Sequence, residues 1–252
     1  MSATNRNEEL LTGGNASAAV VRIGDTVRKP WLPTTERTIA YMRALRERDI
    51  DIAEPRGRDD HGRLVLEYIP GDLTINREPL DATFLRRIGT LVRAIHEASA
   101  GLPVPDTWEV LIPTERPDVV CHNDLATWNL VIDGERLVFI DWDGAGPSTR
   151  LWDLAYAAIS FGQLFGTEEP DPAAERLDAF LGGYGPDEAL RAALPKTMAQ
   201  RARAMHRLLR RSHDSGEEPW ASMYVQGHGE RWEQAAEFIA RHEGRWTTAI
   251  VG

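Results

Sequence analysis

The stretch that decides the fold spans residues 119–143 and reads VVCHNDLATWNLVIDGERLVFIDWD. Two short apolar runs, 130–132 and 137–140, flank Asp133-Gly134, a dipeptide that favours a tight hairpin turn. Polar residues stand before the first run and after the second, and a hairpin brings its two ends together. We therefore predict a loop followed by a β-hairpin, with oxygen-bearing side chains at both ends.

Three side chains of this stretch fit the needs of phosphoryl transfer, which asks for magnesium, a carboxylate beside the acceptor hydroxyl, and positioning. Asp124 stands two residues after His122 and five before Asn129, which is the spacing of the catalytic loop in protein kinases. Asp141 follows twelve residues after Asn129. We predict that Asp124 orients the hydroxyl and accepts its proton, while Asn129 and Asp141 bind Mg²⁺. His122 is interpreted as a buried, orienting histidine.

The sequence from Val119 to Ala157 resembles the aminoglycoside phosphotransferase and choline kinase family, which shows C-H-x-D-x-x-x-x-N followed by I-D. The resemblance includes RLWDLA at 150–155, in a helix that it places behind the metal loop, and extends to residues 12–30 and 63–72. A narrower resemblance, to bacterial members described as trifolitoxin-immunity-like, rests on VRKPW and IDWDGAGP, at 27–31 and 140–147. Asp143 in the second motif is read as a loop cap or a further metal ligand.

The resemblance implies a two-lobed, protein-kinase-like α+β fold with a small β-rich lobe and a larger helical lobe. Residues 1–68 are predicted to form the nucleotide-binding lobe, and Ile69-Pro70-Gly71-Asp72 the hinge, because Pro and Gly end regular strand pairing. Residues 73–252 are predicted to form the catalytic and substrate-binding lobe. Its first helix is expected over 80–99, where apolar residues recur at helical period.

The same resemblance places the nucleotide contacts in the first lobe. Gly13, Gly14 and Asn15 form an incomplete glycine-rich loop whose backbone N–H groups suit phosphates, although two glycines also fit a plain hairpin turn. The phosphate-binding lysine of the family falls at Arg28 or Lys29, and the family register favours Arg28.

Two further nucleotide contacts follow from the resemblance. Glu36 is the predicted partner of Arg28, and it reads equally well as a surface residue of its helix. The backbone of Glu67, Tyr68 and Ile69 is predicted to meet the adenine edge.

Composition limits the other classes of function. Of the 252 residues, 27% are charged, and no run approaches the roughly 20 apolar residues of a membrane span. The first residues lack the apolar core of a secretory signal, so a cytoplasmic protein without a membrane partner is expected. The single cysteine, Cys121, excludes an intrachain disulfide, and the net charge of -10 disfavours nucleic acid. Five arginines are interpreted as a solvated helix face: Arg201, Arg203, Arg207, Arg210 and Arg211.

The sequence therefore predicts a phosphotransferase that uses ATP (or GTP) and Mg²⁺ to phosphorylate a hydroxyl of a small molecule. An antibiotic such as an aminoglycoside, which would confer antibiotic resistance, and an amino-alcohol metabolite are the acceptors considered. The alternative is a catalytically weak or inactive kinase-like immunity or binding module, which the incomplete glycine loop and Arg28 allow. The acceptor, the preferred nucleotide and the oligomeric state stay open.

Overall fold

The N-terminal part of the chain forms one antiparallel sheet with one helix. A computed structural model describes residues 8–11, 20–166 and 169–251. The sheet consists of β1 (Glu9–Leu11), β2 (Val20–Ile23), β3 (Thr26–Lys29), β4 (Pro55–Arg58) and β5 (Leu64–Glu67), and α1 (Thr35–Arg46) lies between β3 and β4 in the chain. The spatial order is β1-β2-β3-β5-β4. β4 is an edge strand with a bulge between Pro55 and Gly57, which is where a sheet tolerates these residues.

The larger part of the chain is mainly helical. Its helices are α2 (Ala82–Ser99), α3 (Arg150–Gly162), α4 (Pro170–Tyr184), α5 (Glu188–Ser215), α6 (Trp220–Met223), α7 (Gly229–Arg241) and α8 (Glu243–Val251). The apolar stripe predicted for the first of them is confirmed, since Leu85, Ile88, Val92 and Ile95 of α2 are buried. Within the described ranges, no helix combines the length and the apolar character needed to cross a bilayer.

Helices α2 and α4 cross at unusually short distance. A Cβ added to Gly89 of α2 would lie 2.0 Å from the carbonyl oxygen of Phe180, and one added to Gly183 of α4 would lie 1.9 Å from that of Arg86. Neither position has room for a side chain, so the two backbones touch. The crossing fixes α4 against α2 and thereby places Tyr184 beside His96.

Short strands frame the loops that carry the predicted chemistry. They are β6 (Asp72–Leu73), β7 (Val119–Cys121), β8 (Leu130–Asp133), β9 (Arg136–Phe139) and β10 (Gly146–Ser148). β6, β8 and β9 form one sheet in that order, and β10 pairs with β7. Gly71, just before β6, has φ 122°, and a Cβ there would lie 2.0 Å from the carbonyl oxygen of Ile132, so the chain needs glycine at this point.

Helix α1 is fixed to the helical part rather than to the sheet alone. The Tyr41 hydroxyl donates to the carbonyl of Val120 at 3.0 Å and lies 2.7 Å from the Ser99 hydroxyl. Arg48, two residues after the helix, donates to the carbonyl of Ala100 at 3.0 Å. The predicted class, a small antiparallel sheet joined to a larger helical part, is confirmed, and the lobe boundaries at 69–72 stay a prediction.

Candidate active site

The β8–β9 hairpin brings the two ends of the decisive stretch together. Leu130 pairs with Phe139, and the N–H of Ile140 donates to the carbonyl of Asn129 at 2.8 Å. Asp141 follows in the left-handed region, at φ 60° and ψ 63°. Such a backbone is uncommon outside glycine, although Asp and Asn adopt it more readily than most residues, and it is often found at functional sites. Asn129 and Asp141 are thus brought to neighbouring positions.

Asp124 lies against Asn129 and is held by hydrogen bonds. The side-chain amide of Asn129 donates to Oδ2 of Asp124 at 2.7 Å and to its backbone carbonyl at 3.0 Å, and the Tyr156 hydroxyl contacts the same carboxylate. Burial raises the pKa of Asp124 to about 6, with Asp141 adding to the rise and the hydrogen bonds from Tyr156 and Asn129 opposing it. A carboxylate of this pKa is largely ionised at pH 7 and suits a base that accepts a proton.

Lys29 of β3 reaches the hairpin from the sheet. Its ammonium group contacts Asp141 and lies 2.7 Å from Oδ2 of Asp143, and the lysine side chain is 6% exposed. Burial lowers the pKa of Lys29, but the attraction of the two aspartates outweighs it and keeps this pKa above its ordinary value. Lys29 in turn holds the pKa of Asp141 below its usual range, against burial, whereas burial leaves that of Asp143 raised. The sheet and the hairpin therefore meet at a buried cation between two carboxylates.

Arg28, which the family register favoured for this position, points elsewhere. Its Nε lies 3.3 Å from Asp59, and neighbouring residues of a strand face opposite sides of the sheet, so only one of Arg28 and Lys29 can face the hairpin. Lys29, and not the favoured Arg28, therefore faces the hairpin, while the phosphate contact itself stays a prediction. Glu36 is exposed on α1, and within the described part of the chain it forms no ion pair with either basic residue. The predicted pairing of Glu36 with Arg28 is therefore wrong.

Of the remaining predicted nucleotide contacts, those at 67–69 lie within the described residues. Gly13, Gly14 and Asn15 lie outside the described residues. In the predicted hinge, the N–H of Glu67 donates to the carbonyl of Glu54 and that of Tyr68 to the carbonyl of Asp25, both at 2.9 Å. No backbone hydrogen bond of the described residues uses the N–H of Ile69. Of these three amides, Ile69 is the one left for a ligand.

Helix α3 supports the catalytic loop with three polar side chains on one face. Oδ1 of Asp153 accepts from the N–H of Asn123 at 2.8 Å, Tyr156 contacts Asp124, and the Ser160 hydroxyl accepts from the N–H of Thr127 at 3.1 Å. Positions 153, 156 and 160 recur at helical period in an otherwise apolar helix, which is the sequence signal for this support. The resemblance implied that this helix lies behind the metal loop, but sequence reasoning missed Tyr156 and Ser160.

Buried histidines orient the loop. The His122 Nε2 lies 3.1 Å from the carbonyl of Ile140, its Nδ1 accepts from the N–H of Asp124 at 3.3 Å, and burial lowers its pKa. Both ring nitrogens are therefore engaged, as the interpretation of His122 as an orienting residue requires. His96 joins Oδ2 of Asp153 at 3.0 Å to the Tyr184 hydroxyl at 2.9 Å.

The group His96, Cys121 and Asp153 brings potential metal ligands within 4.8 Å of one another. Both nitrogens of His96 and both oxygens of Asp153 already have hydrogen-bond partners, and burial raises the pKa of the Cys121 thiol. Protein partners thus satisfy the group without an ion. We interpret it as structural.

The oxygen-bearing side chains near Asp124 fit magnesium better than the group of His96, Cys121 and Asp153 fits a metal ion. The carboxylates of Asp141 and Asp143 face the same buried cation, and the side-chain oxygen of Asn129 is not used in any hydrogen bond of the described residues. Mg²⁺ prefers oxygen ligands of this kind. The residues present therefore fit the ion that phosphoryl transfer needs.

Arg201 departs from the prediction of a solvated arginine face. It is 3% exposed, whereas the other four arginines of that run are exposed: Arg203, Arg207, Arg210 and Arg211. Its Nη2 donates to the carbonyl of Asn123 at 3.2 Å, directly before the predicted catalytic residue. One residue of the run thus belongs to the site, because helix α5 turns position 201 inward.

One family model matches a segment of the chain that contains this loop and hairpin. Residues 104–194 match the model of the phosphotransferase enzyme family. No curated protein sequence matches the chain significantly. The predicted resemblance to this family is thereby confirmed for that segment, while the narrower trifolitoxin-immunity resemblance stays a prediction.

Solved structures share the fold over nearly the whole chain. A choline/ethanolamine kinase family protein from Mesorhizobium loti has TM-score 0.63 and 20% identity, and the match covers 98% of this chain and 94% of that one. An amicoumacin kinase in complex with AMP-PNP, Ca²⁺ and its ligand has TM-score 0.68, 17% identity and coverages of 92% and 89%. A spectinomycin phosphotransferase in complex with ADP and spectinomycin has TM-score 0.64, 14% identity and coverages of 94% and 93%. At these identities the likeness establishes the kinase-like fold.

Proposed function

We propose that this chain, whose residues 104–194 match the phosphotransferase enzyme family, is a small-molecule kinase that transfers the terminal phosphoryl group of ATP to a hydroxyl. The observation that carries the proposal is the convergence of three elements on one point. Asp124 lies in the loop after β7, Asp141 follows β9 and interacts with Asp124, and Lys29 of β3 contacts Asp141 from the sheet side. Phosphoryl transfer needs this combination of a carboxylate, a metal-binding oxygen and a fixed cation.

Each residue has a separate task in the proposed reaction. Asp124, held by Asn129 and Tyr156, orients the acceptor hydroxyl and accepts its proton, which its pKa of about 6 permits at neutral pH. Asn129 and Asp141 would bind Mg²⁺, which supplies neutralisation of charge on the outer phosphates. Lys29 turns its ammonium group from the aspartates toward phosphate oxygens when a nucleotide enters.

ATP is the proposed donor, with GTP as the other purine nucleotide that the same hinge would accept. Two proteins of similar fold were solved with AMP-PNP and with ADP, which supports nucleotide use by this fold. In this chain, the N–H of Ile69 is the donor proposed to meet the base, since it has no backbone partner among the described residues, whereas the amides of Glu67 and Tyr68 do. The glycine pair at 13–14 is proposed to cover the phosphates.

The proposed acceptor is a small molecule that carries a hydroxyl group. Proteins of similar fold include kinases described as acting on amicoumacin and spectinomycin and a choline/ethanolamine kinase family protein. These support both acceptor classes considered from the sequence, an antibiotic and an amino-alcohol metabolite. Incubating the protein with MgATP and a panel of both classes, with mass spectrometry of each product, would identify the acceptor by its added phosphate.

Nucleotide binding can be tested before the acceptor is known. A ligand at one hundred times its Kd stabilises the native state by about 2.7 kcal/mol, which for a chain of this size raises Tm by roughly 5 to 11 °C. We therefore expect millimolar ATP with Mg²⁺ to raise Tm in a thermal-shift assay, and ATP with EDTA to raise it less. If neither millimolar MgATP nor millimolar MgGTP changes Tm, the proposal is contradicted.

A distinct expectation separates the two basic residues of β3. Replacing Lys29 by Met should weaken MgATP binding by about 10- to 100-fold, because a charge-assisted hydrogen bond contributes about 1.5 to 3 kcal/mol. Arg28→Met, one residue earlier and paired with Asp59, should change the affinity by less than about threefold. Isothermal titration with a non-hydrolysable ATP analogue measures both. A larger loss in Arg28→Met would assign the phosphate contact to Arg28. Equal losses in the two variants would contradict Lys29 as the specific contact.

The alternative of an inactive binding module has lost one of its two supports. It rested on the incomplete glycine loop and on an arginine in place of the phosphate-binding lysine, and a lysine lies at the site in Lys29. Turnover distinguishes an active kinase from an inactive binding module. A kinase loses it on substitution of Asp124, whereas a binding module keeps its partner affinity in that variant.

A further inference from the structure

Arg201 of α5 is a buried cation that Asp124 and Asp153 attract without forming an ion pair with it. Its side chain is among the buried groups, at 3% exposure, and its Nη1 has no hydrogen-bond partner within the residues that the structure describes. No carboxylate oxygen of those residues forms an ion pair with it at 4.0 Å or less. Burying an unpaired guanidinium is costly, and an apolar side chain of similar size would pack α5 at lower cost. Packing alone therefore does not explain why an arginine occupies position 201.

The first contact of Arg201 is with the backbone of the catalytic loop. Its Nη2 donates to the carbonyl of Asn123 at 3.2 Å, and the N–H of Asn123 donates to Asp153 at 2.8 Å. Asn123 has φ 65°, in the left-handed region, which Asn adopts more readily than most residues, and its surroundings hold it there. The arginine thus holds the carbonyl side, and Asp153 the amide side, of the residue that precedes Asp124.

The second contact of Arg201 is with the ring that supports the carboxylate of Asp124. The guanidinium carbon lies 4.3 Å from the centroid of the Tyr156 ring, within the range of a cation–π interaction. The hydroxyl of the same ring contacts the Asp124 carboxylate. Arg201 therefore acts on Asp124 by two routes, through the peptide before it and through the tyrosine beside it.

We propose that Arg201 is a positioning residue for phosphoryl transfer, which fixes the catalytic loop and the Tyr156 ring so that the Asp124 carboxylate is held in place. The inference rests on the proposed function. It assigns the buried arginine to the geometry of the reaction rather than to nucleotide binding. A displacement of about 1 Å in a catalytic group can cost about 100-fold in rate, which sets the expected size of the effect.

Three variants test this assignment. Arg201→Met keeps the length of the side chain and removes its charge and donors, and Arg201→Lys keeps the charge and one donor for the carbonyl of Asn123. Arg203→Met is the matched control, since Arg203 is exposed two residues away on the same helix. The rate of ATP turnover with the best acceptor found, or of ATP hydrolysis without one, is measured with KM for MgATP. The affinity for MgADP is measured by calorimetry.

We expect Arg201→Met to lower kcat by about 100-fold while KM for MgATP and Kd for MgADP change by less than about threefold. Arg201→Lys should recover at least tenfold of the loss, and Arg203→Met should behave as the unaltered protein. A merely structural arginine would give equal losses in turnover and nucleotide binding, with no rescue by lysine. That result, or an unchanged kcat in Arg201→Met, would overturn the proposal.

Hydrogen exchange gives a readout that does not depend on turnover. Amides of the loop 122–130 should exchange at least tenfold faster in Arg201→Met than in Arg203→Met, at a temperature where both are folded. Unchanged exchange would reject Arg201 as the residue that orders this loop. If the unaltered protein neither binds MgADP nor turns over ATP, the proposed function fails, and the exchange data still decide whether Arg201 orders the loop.

Discussion

Replacing Asp141 by Asn should reduce phosphoryl transfer by at least about 10³-fold and make nucleotide binding nearly independent of Mg²⁺. The substitution removes a carboxylate charge from the proposed metal site, where the ion contributes several kcal/mol of transition-state stabilisation, and each 1.4 kcal/mol is about tenfold in rate. Asn is chosen because it is similar in shape and also tolerates the left-handed backbone that position 141 requires. Calorimetry with a non-hydrolysable ATP analogue, with Mg²⁺ and with EDTA, measures the binding part.

Asp124→Asn should show a different pattern and so separates the two aspartates. A base is worth about 10² to 10⁴ in rate, so turnover should fall by that factor, while Mg²⁺-dependent nucleotide affinity changes by less than about threefold. Asp118→Asn is the control, because Asp118 is an exposed carboxylate shortly before the same loop. If Asp124→Asn loses nucleotide affinity as Asp141→Asn does, or if both variants keep full turnover, the division of labour between them is wrong.

Gly183→Ala should lower the stability of the fold by about 2 to 3 kcal/mol, at the upper end of the usual cost of overpacking. A methyl group at this position would lie 1.9 Å from the carbonyl oxygen of Arg86, and backbone cannot give way as a flexible side chain does. Helices α2 and α4 would have to separate. The next residue of α4, Tyr184, holds His96 and through it Asp153, so the loop support would loosen as well. In a thermal melt, Tm should fall by roughly 4 to 12 °C.

Gly182→Ala is the matched control for the helix crossing. Its added methyl group would meet only the side-chain nitrogen of Arg86, at 3.8 Å, which is ordinary van der Waals contact. Replacing a glycine inside a helix by alanine stabilises it by about 0.5 to 1 kcal/mol, so Tm should stay the same or rise. A similar fall in Tm for both variants would mean that helix contact is not the cause.

Patterns within short stretches of sequence predicted one hairpin and one helix correctly. Asp133-Gly134 between two apolar runs predicted the β8–β9 hairpin, and the apolar stripe over 80–99 predicted α2. A proline inside a helix removes a backbone donor, yet α5 continues through Pro195 from Glu188 to Ser215. Packing of this helix against its neighbours outweighs the local effect of the proline.

The limits of sequence reasoning at the site lie in side-chain direction. The family register favoured Arg28, whereas the pairing of β3 in the sheet directs Lys29 to Asp141 and Arg28 to Asp59. Arg201 shares its predicted solvated face with the exposed arginines at 203, 207, 210 and 211, because arginines recur along this part of the sequence. Only the rotation of α5 about its axis, set by its packing, decides that position 201 faces the loop and position 203 the solvent.

The amino-acid sequence by itself determined which residues can perform chemistry, because the spacing of Asp124, Asn129 and Asp141 is set along one short loop and its hairpin. The tertiary structure decided which distant groups reach them: Lys29 from the sheet, Tyr156 from α3 and Arg201 from α5. The physical reason is that contacts close in sequence follow from turn and strand geometry. Contacts between elements depend instead on strand register and helix rotation, and the packing of the whole core fixes both.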